Sequence, residues 1–393
     1  MNNAVIVAGA RTPIGDFGGQ FRDLLAYELA VAAVQDAVKR AGVTLEMVEE
    51  VILGNCIQRS DEPNLARHVA LKAGMPKETT GFTIQRQCSS GMQAVVSAHQ
   101  EIILGDAEIV VAGGAESMSS APYVLKDARW GMRLQHSQVT DSLWEMLSDP
   151  IHNILMGVTA ENLAEKYGIT REEQDEVALR SHMNASRASR DGSFAEEIVP
   201  VAVPGKKGKV TLVAEDEHIR HNLTLENLSA LAPAFKKDGT VTAGNASGIN
   251  DSATALVLMN EKKASAGGVA PLGRIVSYAW AGVEPELMGY GPVPATRLAL
   301  KKAGLKLEDM ELIEVNEAFA AQYLACEKLL GLDRNIVNVN GSGIGLGHPV
   351  GSTGARIILT LLYELRRRKK KLGLATLCVG GGMGMAVVLE NLQ

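Results

Sequence analysis

The chain has 393 residues, 46% of them hydrophobic and 21% charged, a length for about two average domains and a composition that excludes intrinsic disorder. Its 45 acidic and 39 basic residues leave a net charge of −6, which argues against a nucleic-acid binder held by diffuse positive charge. No apolar run reaches the ~18 residues of a membrane span, and the four cysteines, Cys56, Cys88, Cys326 and Cys378, show neither a disulfide framework nor a C-x-x-C metal pattern. Free thiols and the absence of a signal-peptide pattern at the start predict a cytoplasmic protein.

Residues 4–8 form a continuous apolar run, the pattern of a strand buried on both faces. A helix over about 25–40 stops at Gly42. Strands at 51–53 and 82–84, a helix over about 89–104 and a strand at 109–112 follow. This alternation predicts an α/β protein with a largely parallel sheet.

A long internal repeat organises the rest. Residues 39–54 read KRAGVTLEMVEEVILG and residues 301–316 read KKAGLKLEDMELIEVN. Downstream of each copy lie a strand, a tight turn with a reactive residue type and a helix, first TIQRQCSSGMQAVVSAHQEI and then VNGSGIGLGHPVGSTGARII. Each then runs through an apolar strand into glycines, EIVVAGGAE and ATLCVGGGMG. Two duplicated halves related by a pseudo-twofold would place Cys88 and His348 at equivalent helix N-termini and bring them together. Residues 119–246 match neither half. With charged helices such as the one opened by the Thr170-x-x-Glu173 capping box, they read as an insertion suited to substrate or oligomer contacts.

Cys88 opens a helix directly after a strand. Unpaired N–H groups and the positive end of the helix dipole should lower its pKa and bind an oxyanion; the competing reading is a buried structural cysteine. His348 lies in a glycine-rich turn before Pro349, which suits a first helical position, and can act there as a base. These glycines do not match G-x-G-x-x-G, which argues against a dinucleotide site. Cys378 sits at the end of a strand beside Gly380-Gly381-Gly382. Asn316 ends a strand of the same half, where it could simply cap the next helix. Both positions are carboxyl ends of strands, where open α/β sheets place ligands. The run of six basic residues at 366–371 reads as a solvated helix end complementing the dipole.

Four blocks, Gln87-Cys88-Ser89-Ser90-Gly91-Met92, Asn316-Glu317-Ala318-Phe319-Ala320, Gly347-His348-Pro349-x-Gly351 and Cys378-x-Gly380-Gly381-Gly382, occur in the order and at spacings compatible with one family: the chain resembles the thiolases over essentially its whole length. The resemblance implies a five-layered αβαβα fold. Its N-terminal half would comprise residues 1–118 and 247–267, a loop domain for coenzyme A and oligomer contacts residues 119–246, and the C-terminal half residues 268–393. It implies an acyl-CoA acetyltransferase with coenzyme A thioesters as substrates, no cofactor, no metal, and no nucleic-acid or membrane partner, in a homodimer or homotetramer. Cys88 would carry the acyl group, His348 would activate it and Cys378 would exchange the α-proton. Asn316 would hold a water for the enolate oxygen, and the N–H groups of Cys88 and Gly380 would receive the tetrahedral oxyanion. Ser247 would meet the pantetheine arm and Arg220 the adenine end. Three positions depart from the family's usual pattern: Gln85 stands where asparagine is usual, Gly341-Ser342-Gly343-Ile344-Gly345 replaces a G-G-A-I-A run, and Leu155 precedes Met156 where short-chain biosynthetic members commonly carry histidine. Leu155 and Met156 would therefore bear on the choice of acyl chain. A ketoacyl synthase of the same fold would lack the glycine-flanked Cys378, and a noncatalytic acyl-CoA-binding protein need not keep Cys88, His348 and Cys378 together.

Overall fold

The structure, a computed structural model, describes residues 2–393. The N-terminal half runs β1 (Ala4–Arg11), α1 (Ala26–Arg40), β2 (Glu50–Gly54), α2 (Leu65–Ala73), β3 (Thr80–Ile84), α3 (Ser90–Leu104) and β4 (Ile109–Ser117). After a long excursion containing α4 (Met156–Tyr167) and α5 (Arg171–Arg190), the chain enters β5 (Asn250–Asn260). The C-terminal half comprises β6 (Gly273–Gly282), α6 (Pro292–Ala303), β7 (Leu312–Val315), α7 (Ala320–Leu330), α8 (Val350–Arg367), β8 (Leu372–Val379) and β9 (Met383–Asn391).

These elements follow from local sequence. The face of α1 formed by Leu29, Ala30, Ala33, Val34, Ala37 and Val38 is buried at helical spacing, and Lys39 and Arg40 occupy its last turn, where they complement the dipole. Gly105, at φ 87°, ends α3 in a left-handed conformation that glycine adopts without a Cβ penalty. Every residue of β1 and β4 is buried, so neither shows alternation.

The strands lie in the order β7-β8-β9-β6-β1-β5-β4-β2-β3. Only β7/β8, β2/β4 and β2/β3 are parallel; the five pairs through the middle, from β8/β9 to β5/β4, are antiparallel. The expected largely parallel sheet is thus a mixed one. Each half contributes its own parallel strands, and the hairpin of β8 and β9 and the returns of β5 and β6 fill the centre antiparallel. The halves touch edge to edge through one residue pair, Ile6 with Gly273, which leaves each free to stack on the other.

Three cores define the layers. One packs α1 and α2 on the N-terminal strands, with Leu29, Val34, Leu65 and Val69 against Val51, Val111 and Val257. A second packs α6 and α7 on the C-terminal strands, with Ala295, Ala299 and Tyr323 against Val315, Leu374 and Val388. The third lies between the halves and contains α3 and α8, with Met92, Val95, Ile358 and Leu362 against strands of both. The result is five layers, αβαβα, with the two central helices covered on both sides. Among the described residues no helix is long and apolar enough to cross a membrane.

Candidate active site

The two central helices meet where their side chains vanish. A Cβ on Gly91 would stand 2.8 Å from the carbonyl oxygen of Gly351, one on Gly114 2.0 Å from the same oxygen, and one on Gly354 2.5 Å from the nitrogen of Met92. Any larger residue would force α3 and α8 apart, since backbone cannot yield as a flexible side-chain end can. Gly91 and Gly351 stand three residues after Cys88 and His348 respectively. The close crossing therefore carries both reactive side chains to one place, as the repeat predicts.

That place is the wall of a cavity of ≈ 650 Å³, lined by Cys88, His348, Gly380, Ser247, Arg220, Leu155 and Met156. Met146, Leu147, Phe235, Met288 and Phe319 supply much of the remaining wall, an apolar surface suited to an alkyl or pantetheine chain. Cys378 and Asn316 are buried behind the wall. Gly157 admits the Phe235 ring, which would come within 2.3 Å of a Cβ there.

Cys88 follows Gln87, a non-glycine residue at φ 43°, in a turn that Ser90 closes by donating its hydroxyl to Gln87 O (2.6 Å) while accepting from Arg86 N (2.8 Å). The sequence predicts a lowered thiol pKa at this helix start; the structure shows the opposite. Burial pushes Cys88 up to about 11, and the N–H groups of Gly380 and of Cys88 itself only partly offset it. Desolvation of a thiolate outweighs the dipole in the wall of this largely apolar cavity, where Cys88 is partly exposed. Cys88 therefore rests as a thiol.

His348 faces the same cavity. Burial, assisted by the Arg356 guanidinium, lowers its pKa to about 3, so the ring is neutral. Its Nδ1 lies 2.7 Å from Thr353 Oγ1, and that hydroxyl donates to Pro349 O at 3.0 Å. With its only proton so used, Oγ1 must accept from Nδ1–H, which leaves the lone pair on Nε2. Nε2 faces Asn316 Nδ2 at 3.5 Å, while the backbone N–H of His348 donates to Asn250 Oδ1 at 2.9 Å. Cys88 and His348 share the cavity without a direct hydrogen bond between them. The Cys378 thiol is also pushed well up, by burial first and then by Cys88 and Cys326.

Arg220, more than half exposed, pairs with Asp16 (Nη2 to Oδ2, 3.3 Å) at the cavity rim, and the backbone N–H of Ser247 donates to Ala318 O. Sequence reasoning missed Thr353 and Asn250. Thr353 carries a faint signal, a hydroxyl one turn inside the helix that His348 precedes. Asn250 carries none, because it reaches His348 from across the sheet.

The thiolase N-terminal domain profile matches residues 4–262 and the C-terminal domain profile residues 269–391. An acetyl-CoA acetyltransferase of Escherichia coli (strain K12) is 52% identical, with all of both chains covered. The crystal structure of the Bacillus anthracis acetyl-CoA acetyltransferase superimposes with a TM-score of 0.98 at 59% identity over 100% of this chain and 99% of that one. Human mitochondrial 3-ketoacyl-CoA thiolase in complex with CoA gives 0.95 at 47% identity over 100% and 98%. The chain belongs to the thiolase family. It is an enzyme of the acyltransferase type.

Proposed function

We propose that the enzyme condenses two acetyl-CoA to acetoacetyl-CoA and CoA, and in reverse cleaves 3-ketoacyl-CoA with CoA, through an acyl-enzyme on Cys88 and without a cofactor. The observation that carries this reading is the gathering of a protonated thiol, a neutral imidazole with its lone pair on Nε2 and a second buried thiol around one largely apolar cavity.

His348 Nε2 takes the Cys88 proton as Sγ attacks the thioester carbonyl, and the Cys88 and Gly380 N–H groups receive the oxyanion. On collapse the departing CoA thiolate takes the proton of Cys378. Burial, which makes Cys378 a poor acid, makes its thiolate a strong base for a weakly acidic carbon. That thiolate removes the α-proton of the second acetyl-CoA, while the imidazolium of His348 and a water held by Asn316 stabilise the enolate oxygen. The enolate attacks the acyl carbon and Cys88 leaves, recovering its proton from His348. Cys88 recovers its own proton, Cys378 is reprotonated by the α-proton while its original proton leaves on CoA, and both groups end as they began, so the cycle runs in either direction.

In this reading the segment 119–246 acts as the coenzyme A loop domain, inserted within an N-terminal half of residues 1–118 and 247–267 that is followed by a C-terminal half of residues 268–393. Ser247 lies along the pantetheine arm and Arg220 near the adenine end. The enzyme works in the cytoplasm as a dimer or tetramer. The experiment is steady-state thiolysis with CoA and 3-ketoacyl-CoA varied together. A covalent acyl-enzyme gives parallel double-reciprocal lines; intersecting lines, with no acyl group trapped on Cys88 when one substrate is withheld, would overturn the reading.

A further inference from the structure

Glu116, near the end of β4, is a fully buried carboxylate that the chemistry above does not use. Four donors surround it. Oε1 accepts from Asn55 Nδ2 (2.9 Å) and Ile57 N (3.0 Å), and Oε2 accepts from Cys56 N (3.0 Å) and Gly351 N (2.8 Å). Among the described residues no lysine or arginine pairs with it, and the titratable groups facing it are the thiols of Cys56 and Cys88. An unpaired buried carboxylate is costly, and this one is held chiefly by N–H dipoles, with its pKa raised to about 7 by burial.

The donors come from both halves. Asn55, Cys56 and Ile57 follow β2, whereas Gly351 opens the helix that His348 precedes; a Cβ on Gly351 would come within 2.7 Å of Glu116 Oε2. The bond chain continues on the other side, since the Cys56 thiol donates to Gln87 O at 3.2 Å. Gln87 is the left-handed residue before the nucleophile. An unbroken path therefore runs from Gly351 N through Glu116 and Cys56 to the turn of Cys88.

We propose that Glu116 is a positioning residue of the acyl-transfer reaction, its carboxylate setting the distance between the His348 turn and the Cys88 turn by binding backbone of both halves at once. The inference rests on the assignment of Cys88 and His348 made above. It requires both oxygens to accept. In Glu116→Gln one end of the side chain becomes an NH2 group facing two donors in either orientation, whereas Glu116→Asp keeps the charge and both acceptors on a shorter stem.

The test compares thiolysis kcat and KM, and the pH dependence of Cys88 alkylation by iodoacetamide, in the native enzyme and both variants, with rates referred to folded protein by circular dichroism. Glu116→Gln should lower kcat on the order of a hundredfold, the scale of buried donors left unpaired, with KM within about threefold because the cavity wall is untouched. The midpoint of Cys88 alkylation should fall, since a negative charge beside the thiol is gone. Glu116→Asp should recover part of kcat and keep the native midpoint. If Glu116→Gln fails to fold, Gly351→Ala disturbs the same bond from the other half and must also lower kcat at nearly constant KM. A kcat that is unchanged, or that falls only with the folded fraction while the midpoint stays fixed, overturns the proposal. Failure of the native enzyme to acylate Cys88 would instead overturn the site assignment.

Discussion

At the residue scale, burial decides what each reactive group does. It holds Cys88 and Cys378 as thiols and His348 as a neutral ring, a resting state with no charge in an apolar site. If Cys378 acts only on the departing thiolate and on the α-proton, and a CoA thiolate can leave unprotonated or take a proton from solvent, Cys378→Ala should still be acylated by acetyl-CoA and yet neither condense nor cleave. Intact-protein mass spectrometry checks this, and an acyl adduct on Cys378 of the native enzyme would reverse the two roles. Leu155 lines the cavity, where apolar surface favours longer chains by up to about 0.8 kcal/mol, or roughly fourfold, per methylene. Leu155→His should therefore depress turnover of 3-ketohexanoyl-CoA more than that of acetoacetyl-CoA. Equal loss on both substrates would mean that Leu155 only packs the segment against the core.

At the scale of elements, the crossing of α3 and α8 is a contact between backbones. Gly91→Ala places a methyl 2.8 Å from Gly351 O, so the helices must separate by a few tenths of an ångström, and with them Cys88 and His348. We expect kcat to fall at least tenfold, the sensitivity of catalysis to sub-ångström misplacement, with KM little altered. A variant with native kcat would show that the crossing does not set the catalytic distance. The far end of α8 is a solvated helix end, as the basic run predicts, with most of its side chains exposed and several of them paired. Arg366 pairs with Glu196, Arg367 and Arg368 with Glu364, Lys370 with Glu311 and Lys371 with Glu390. Two arginines share Glu364, so the run is a solvated helix end whose positive charge is only partly neutralised.

At the scale of the whole molecule, Arg11 joins β1 to the segment inserted within the N-terminal half. Its guanidinium, fully buried, bonds Glu197 Oε1 (2.8 Å) and both oxygens of Asp216 (2.7 and 2.9 Å), and Glu197 in turn accepts the hydroxyl of Thr360 in α8 (2.9 Å). Removing one partner of a buried pair leaves the others uncompensated, at a cost of about 3–5 kcal/mol. Arg11→Met should lower unfolding stability by that amount, measured by urea denaturation. A loss below about 1 kcal/mol would show that water or a shifted side chain replaces the guanidinium.

The duplicated α/β plan was legible in the residues, because apolar runs, glycine stops and the 39–54 and 301–316 copies are local patterns that need no knowledge of distant contacts. The sequence also marked Cys88, His348, Asn316 and Cys378 at strand ends and helix starts, since the turns that expose them carry their own glycine and proline signals. What the tertiary structure alone decided depends on groups far apart in the chain. The antiparallel centre of the sheet arises from the returns of β5 and β6, which local alternation cannot orient. The direction of the Cys88 shift follows from the apolar walls that desolvate it, and the tautomer of His348 from the bond Thr353 makes to Pro349 O. The setting of Glu116 depends on Gly351, 235 positions away. Hydrogen bonds and desolvation act through space, and only the folded chain fixes which groups share it.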